Sequence, residues 1–241
     1  TIDDVIPGVT LNLQRASDEE IDLSIEPDTE LIKESLINFV GRYNQVMREI
    51  NILTRTNEQV VDEIEFFSEE EATAARERLG AMQGDSTLNQ IRFRLQTLTQ
   101  NAYSTDLGGE LALLDQIGIS TNASQGGTGS IEPGRLRGYL EINETVLDQA
   151  LARDLDSVQQ LFGNDTNGDL VPDSGVSVAV DEFVRPFTQV GGILALRTDG
   201  INSDITQAND RIETLTERLE RYEQQLRVEF GQMESSVSGL E

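Results

Sequence analysis

Apolar positions near the C-terminus fall at alternating steps of four and three residues: Ile201, Ile205, Ala208, Ile212, Leu215, Leu219, Tyr222, Leu226, Phe230, Met233, Val237 and Leu240. That spacing predicts a long helix whose heptad seam packs along a partner helix. Two steps of four meet at Tyr222–Leu226–Phe230, a stutter that locally unwinds a supercoil. No proline interrupts the run, and Gly231 and Gly239 are its only glycines. Glu217–Arg221 and Glu223–Arg227 stand four apart in the favourable order. A stripe of this length left bare exposes apolar surface to water, so the pattern predicts a cover. The cover is either the chain's own bundle or other chains, and both are open for different parts of the helix.

The rest of the chain reads as mainly helical, with a small β component. Val9–Leu13 and Ile21–Ile25 each alternate apolar and polar residues around a polar link, and read as two paired strands. Pro27 ends them, and Asp28 or Thr29 caps a helix. Its predicted buried stripe is Leu31, Ile32, Leu36, Phe39, Val40, Tyr43, Val46, Met47, Ile50 and Leu53. Residues 57–67 fit a short helix or an extended stretch. Ser68 followed by Glu71 is a capping box, opening a helix expected to end near Gly84. Asp85 or Ser86 caps the next helix, which carries Leu88, Ile91, Leu95 and Leu98. Residues 117–121 and 136–142 read as a hairpin joined by a Gly/Ser-rich connection over 122–134. Asn143 caps a helix with Val146, Leu147 and Leu151, and Asp154 or Asp156 starts a short one ending at Phe162-Gly163. After a polar loop over 165–175, a helix from Val176 is kinked or stopped by Pro186. Gly191-Gly192 breaks the chain before the heptad helix.

Composition narrows the function. The 241 residues carry a formal net charge of −26, with 44 acidic and 18 basic side chains. Nucleic acid and anionic membrane surfaces are disfavoured as partners, because both call for a basic face. The acidic balance reads as genomic composition or a saline habitat, and it makes self-assembly salt-dependent. Cysteine and histidine are both absent, which removes disulfides, thiolate chemistry, Cys/His zinc sites and the His-based triads. No apolar stretch reaches the length of a membrane span. Thr1-Ile2-Asp3-Asp4 is no secretory signal and lacks an initiator methionine, so the chain reads as processed or as a fragment. There is no phosphate-cradling glycine loop, and 44 acids guarantee chance carboxylate pairs, so no enzyme is predicted.

One loop carries metal-ligand spacing. Asp165, Asn167 and Asp169 stand at positions one, three and five of a calcium loop, with Asp173 at nine. The pattern then departs: Leu170 stands where position six requires glycine, and Val176 stands where position twelve requires glutamate. An Asn-Gly turn flanked by solvated acids explains the same residues. Asn122-Ala-Ser124, Asn143-Glu-Thr145 and Asn164-Asp-Thr166 match the glycosylation pattern but read as chance, turn or cap residues.

Several stretches, taken in order, resemble the bacterial flagellar filament cap family, also called hook-associated protein 2. They are Tyr43-Asn44, Gly84-Asp85-Ser86-Thr87-Leu88, Leu114-Asp115-Gln116-Ile117-Gly118-Ile119, and Leu147, Leu151, Asp154, Val158, Leu161 and Phe162. Gly191-Gly192-Ile193-Leu194, Arg197-Thr198-Asp199-Gly200 and Arg227–Glu234 complete the set. The resemblance implies the family's C-terminal part. Residues 1–27 would end a β-rich head, 28–200 would form a helical leg with a hairpin at about 115–142, and 201–241 would be a coiled-coil helix. It implies a ring-like homo-oligomer at the filament tip that templates the folding and insertion of exported flagellin. It further implies a hook-associated junction protein and an export chaperone as partners. The site would lie outside the cell, or in the periplasm where flagella are internal. The seam residues Ile205, Ile212, Leu215, Leu219, Tyr222, Leu226, Phe230 and Met233 would pack against an N-terminal helix, neighbouring subunits or flagellin-like helices. Two alternatives stand beside it: another axial flagellar protein, such as a junction subunit or flagellin relative, and a secreted calcium-stabilised adhesin. No cofactor is implied beyond the calcium of the acidic loop.

Overall fold

A computed structural model describes residue 15 and residues 28–105, 111–121 and 137–238. The strands expected over 9–13 and 21–25, the connection over 122–134, and Leu240 lie outside the described residues. Eight helices follow in order among them: α1 (Thr29–Thr54), α2 (Gln59–Asp62), α3 (Glu69–Arg78), α4 (Ser86–Gln100), α5 (Glu144–Arg153), α6 (Leu155–Phe162), α7 (Val176–Thr188) and α8 (Ile193–Ser238). A 3-10 turn (Leu114–Ile117) and two short antiparallel strands, β1 (Ile119–Ser120) and β2 (Glu141–Ile142), stand between α4 and α5.

Helix α1 is the axis of the bundle. Asp28 caps it by accepting the Leu31 N–H at 3.0 Å. Its inward stripe is Leu36, Val40, Tyr43, Met47 and Ile50, packed against Ile91 and Leu95 of α4, Leu147 and Leu151 of α5, and Leu161 of α6. Leu31 and Val46, expected in that stripe, are exposed, and Val46 stands on the open side of a groove rather than in the core. Lys33, the chain's single lysine, reaches Asp148 of α5 at 2.7 Å. A second, smaller core gathers Ile52, Val60, Val61 and Ala75 from α1, α2 and α3.

Polar residues of α1 locate the hairpin. Asn44 donates to the Leu140 carbonyl at 2.8 Å and accepts the Leu140 N–H at 2.8 Å, so one side chain completes a backbone pair as a strand would. Two turns on, Asn51 donates to the Arg137 carbonyl at 3.1 Å. The Arg137 guanidinium meets Glu63 at 2.8 Å. The hairpin is confirmed as an antiparallel pair, with Ile119 opposite Ile142 and Ser120 opposite Glu141.

Local structure differs from expectation at the end of α3. Helix α3 ends at Arg78 rather than near Gly84. The chain turns at Gly80, whose N–H donates to the Ile52 carbonyl at 2.9 Å, and the Met82 N–H donates to the Leu53 carbonyl at 2.8 Å. Those bonds to the end of α1 take the groups that would have continued α3. Of the two readings of Pro186, a kink or a stop, the stop is excluded, because α7 runs on to Thr188 with the proline inside it. The ambiguous stretch after Asn57 contains the four-residue helix α2. The caps at Ser68, Asp85, Asn143 and Asp154 are all formed by side chains.

Candidate assembly interface

Helix α7 leads into the C-terminal rod through a corner that only glycine closes. Gly191 has φ +72, in the left-handed region. A Cβ on Gly192 would stand 2.7 Å from the Pro186 carbonyl oxygen and 2.8 Å from that of Gln189. Helix α8 begins at Ile193 and continues through residue 201 without a break, for 46 residues. At 1.5 Å per residue that is about 69 Å.

Its base is held against α7 and α4, and the rest is not. From Thr198 to Ser235 every residue is exposed except Leu226, which is half-buried. The seam therefore lies bare along this single chain: Ile205 and Ile212 are exposed, Leu215 is 55% and Leu219 68% exposed, and Tyr222, Phe230 and Met233 are exposed with them. Among the described residues, the chain's own bundle covers none of these positions. Fully covering one Leu or Ile stabilises by about 1.5–3 kcal/mol. A lone helix gains little that could replace this. Arg227 pairs with Glu223 at 2.6 Å, and Gln225 donates to Glu229 at 3.0 Å. Arg221 does not form the expected pair with the Glu217 carboxylate; its Nε donates to the Glu217 backbone carbonyl at 3.3 Å. Exposed pairs of this kind contribute about 0.3–0.5 kcal/mol each.

A second apolar surface lies at the rod's base and was missed from the sequence. A groove of about 400 Å³ runs between α1, α4 and α7. Tyr43 and Val46 of α1, Leu88 and Ile91 of α4, Phe183 and Phe187 of α7, and Leu194 of α8 line it. The signal was present as Val180, Phe183, Val184 and Phe187, a helical stripe on α7. Burial pushes the Tyr43 phenol up to about 12, so it stays neutral at the groove wall.

The acidic loop is organised by its own backbone. Asp165 Oδ1 accepts the N–H groups of Asn167, Gly168 and Asp169, and Oδ2 accepts that of Leu170 at 2.7 Å. These bonds hold its carboxyl below the usual carboxylate range against the opposing effect of desolvation. Asn167 Oδ1 accepts the Asp169 N–H, and Asp169 accepts that of Val171. Asp173 accepts from Thr166 and from the Asn167 amide. Leu170 takes φ +68, in the left-handed region. Among the described residues, no group of three or more acidic side chains is gathered so as to hold a metal ion. Among the same residues, no helix is long and apolar enough to cross a membrane. Asn143 caps α5, and Asn164 bridges to Ser174, so both are structural turn residues.

Known proteins resemble this sequence. The family described as flagellar hook-associated protein 2 C-terminus matches residues 1–241. Flagellar hook-associated protein 2 of Treponema maltophilum is 45% identical over 215 residues, which is 89% of this chain and 32% of that protein. The protein of the same name from Treponema pallidum (strain Nichols) is 40% identical over 205 residues, covering 85% of this chain and 28% of its own. A crystal structure of the D1-D2-D3 domains of the flagellar cap protein FliD from Escherichia coli aligns with a TM-score of 0.46 and 21% identity. That alignment covers 73% of this chain and 37% of the other. The chain spans about a third of the length of the curated relatives it matches.

Proposed function

The chain belongs to the flagellar hook-associated protein 2 family, matching that family's C-terminal region, and from that premise we propose that it is the leg and stalk of a structural subunit of the filament cap. The observation that carries this reading is the bare seam on α8. A rod with one continuous apolar edge, free of its own bundle, is a part built to be covered by other helices. The work is mechanical: ring-like self-assembly at the filament tip, and templating of exported flagellin as it folds and inserts beneath the cap. Flagellin, the hook-associated junction protein and an export chaperone are the partners of this role. The site of action is the filament tip, outside the cell or in the periplasm of organisms with internal flagella. No covalent chemistry is involved.

Deleting the gene tests this directly. The expected result is short or absent filaments, with unassembled flagellin released beyond the hook. Normal filaments with no flagellin release end the cap reading. The alternative of a junction subunit predicts fluorescence of the labelled protein at the hook rather than at the distal tip. We propose a cation test for the acidic loop as well. Calcium titrated calorimetrically into the parent chain and into an Asp165→Ala/Asp169→Ala variant gives heat only in the first if the loop binds it. Identical traces leave the loop as a self-bonded turn.

A further inference from the structure

Two stretches 112 residues apart in the chain meet at one ion pair. Asp85 opens α4, where its Oδ1 accepts the Leu88 N–H at 2.9 Å. Arg197, in the second turn of α8, lays its guanidinium on the same carboxylate, with Nη1 3.0 Å from Oδ1 and Nη2 against Oδ2. Both oxygens are engaged, so the contact is a fork rather than a point charge. The Asp85 side chain is only 9% exposed and that of Arg197 33%, which shields the pair from solvent and salt. The guanidinium, helped by the capping amides, holds the Asp85 carboxyl down to about 2.

The pair stands where the rod leaves the bundle. Behind it is the Gly191-Gly192 corner, and beyond it the rod is bare. Leu194 enters the groove beside Leu88 and locates the base, but apolar contact is non-directional. A bidentate fork has direction. The rod extends about 60 Å past Arg197, so each degree of swing at the base moves the far end by about 1 Å.

We propose that Asp85 and Arg197 form the pin that sets the angle of the α8 rod on the bundle, and so aim its seam at the partner. The role in assembly rests on the seam reading above; the pin itself does not. The residue types fit. Asn caps a helix as well as Asp does, so capping alone leaves the second charged oxygen unused. Lysine would supply the charge of Arg197 without its planar fork.

The chain has no cysteine, so two introduced ones take spin labels cleanly. Thr97→Cys on α4 and Gln207→Cys on the rod are both exposed positions. Pulsed electron-spin distances in the 241-residue chain are expected to be narrow with the pin intact. Arg197→Gln and Asp85→Asn are each expected to broaden the distribution at least two-fold, with helix content unchanged. Arg197→Lys should fall between them and the parent. A distribution in Arg197→Gln as narrow as the parent's overturns the pin. Broadened distances with undiminished swarming leave the pin standing as a contact and overturn its role in aiming the seam.

Discussion

Leu215→Glu combined with Leu219→Glu is expected to abolish assembly while leaving the folded bundle intact. Both side chains sit on the seam, and neither touches the bundle in the single chain, where they are 55% and 68% exposed. Their replacement removes nothing from the core around Met47 and Leu161. Each leucine covered by a partner helix stabilises by about 1.5–3 kcal/mol. Two glutamates forfeit that and place charge against an apolar edge. The expected loss is about 5 kcal/mol, or between three and four powers of ten in association. Swarming on soft agar and flagellin in the medium read the loss. Thermal unfolding of the isolated chain reads the control, which should move by less than about 1 °C. A large fall in melting temperature would mean that the seam supports its own bundle. Arg218→Gln, a neighbour off the seam, should assemble normally.

How far the fold could be read depended on the range of the information. The rod was legible because heptad spacing is a local code repeated over eleven steps. The caps at Asp28, Ser68, Asn143 and Asp154 were legible for the same reason: a cap and its amide lie within three residues. Asn44 and Asn51 were not. Two asparagines seven apart on an apolar helix look like solvated interruptions until the strand they pin arrives from residues 137–140. Asp85 was read with Ser86 as one of two candidate caps, and it is the cap, but its second partner lies 112 residues away and no spacing rule reaches it. The groove was missed because Pro186 was read as a kink or stop in α7, although Phe183 and Phe187 flank that proline on one face. The end of α3 was misplaced because bonds to the far end of α1, not the next glycine in sequence, decide where it stops.

The second large effect is expected at the α6–α7 junction, where Gly175→Ala should destabilise the bundle by about 3 kcal/mol or more. Gly175 has φ +115, and an added Cβ would stand 2.6 Å from both the carbonyl carbon and the oxygen of Phe162, and 2.9 Å from the Gly163 nitrogen. These are backbone atoms at the end of α6, so no rotamer change relieves the clash. Moving the backbone would drag Val176, which is fully buried in the main core, and the Asn164–Ser174 bridge that closes the acidic loop. Gly168→Ala separates the two causes. Gly168 also has positive φ, at +80, but its Cβ would enter open space, so the cost there is about 1 kcal/mol from backbone conformation alone. For a domain of this size the difference corresponds to a melting temperature lower by roughly 4–8 °C in Gly175→Ala than in Gly168→Ala. Equal melting temperatures would mean that α7 is not held at this point. The result reaches beyond stability, because α7 carries the rod: a chain that frees α7 at Gly175 also frees the helix on which Leu194 and Arg197 are aimed.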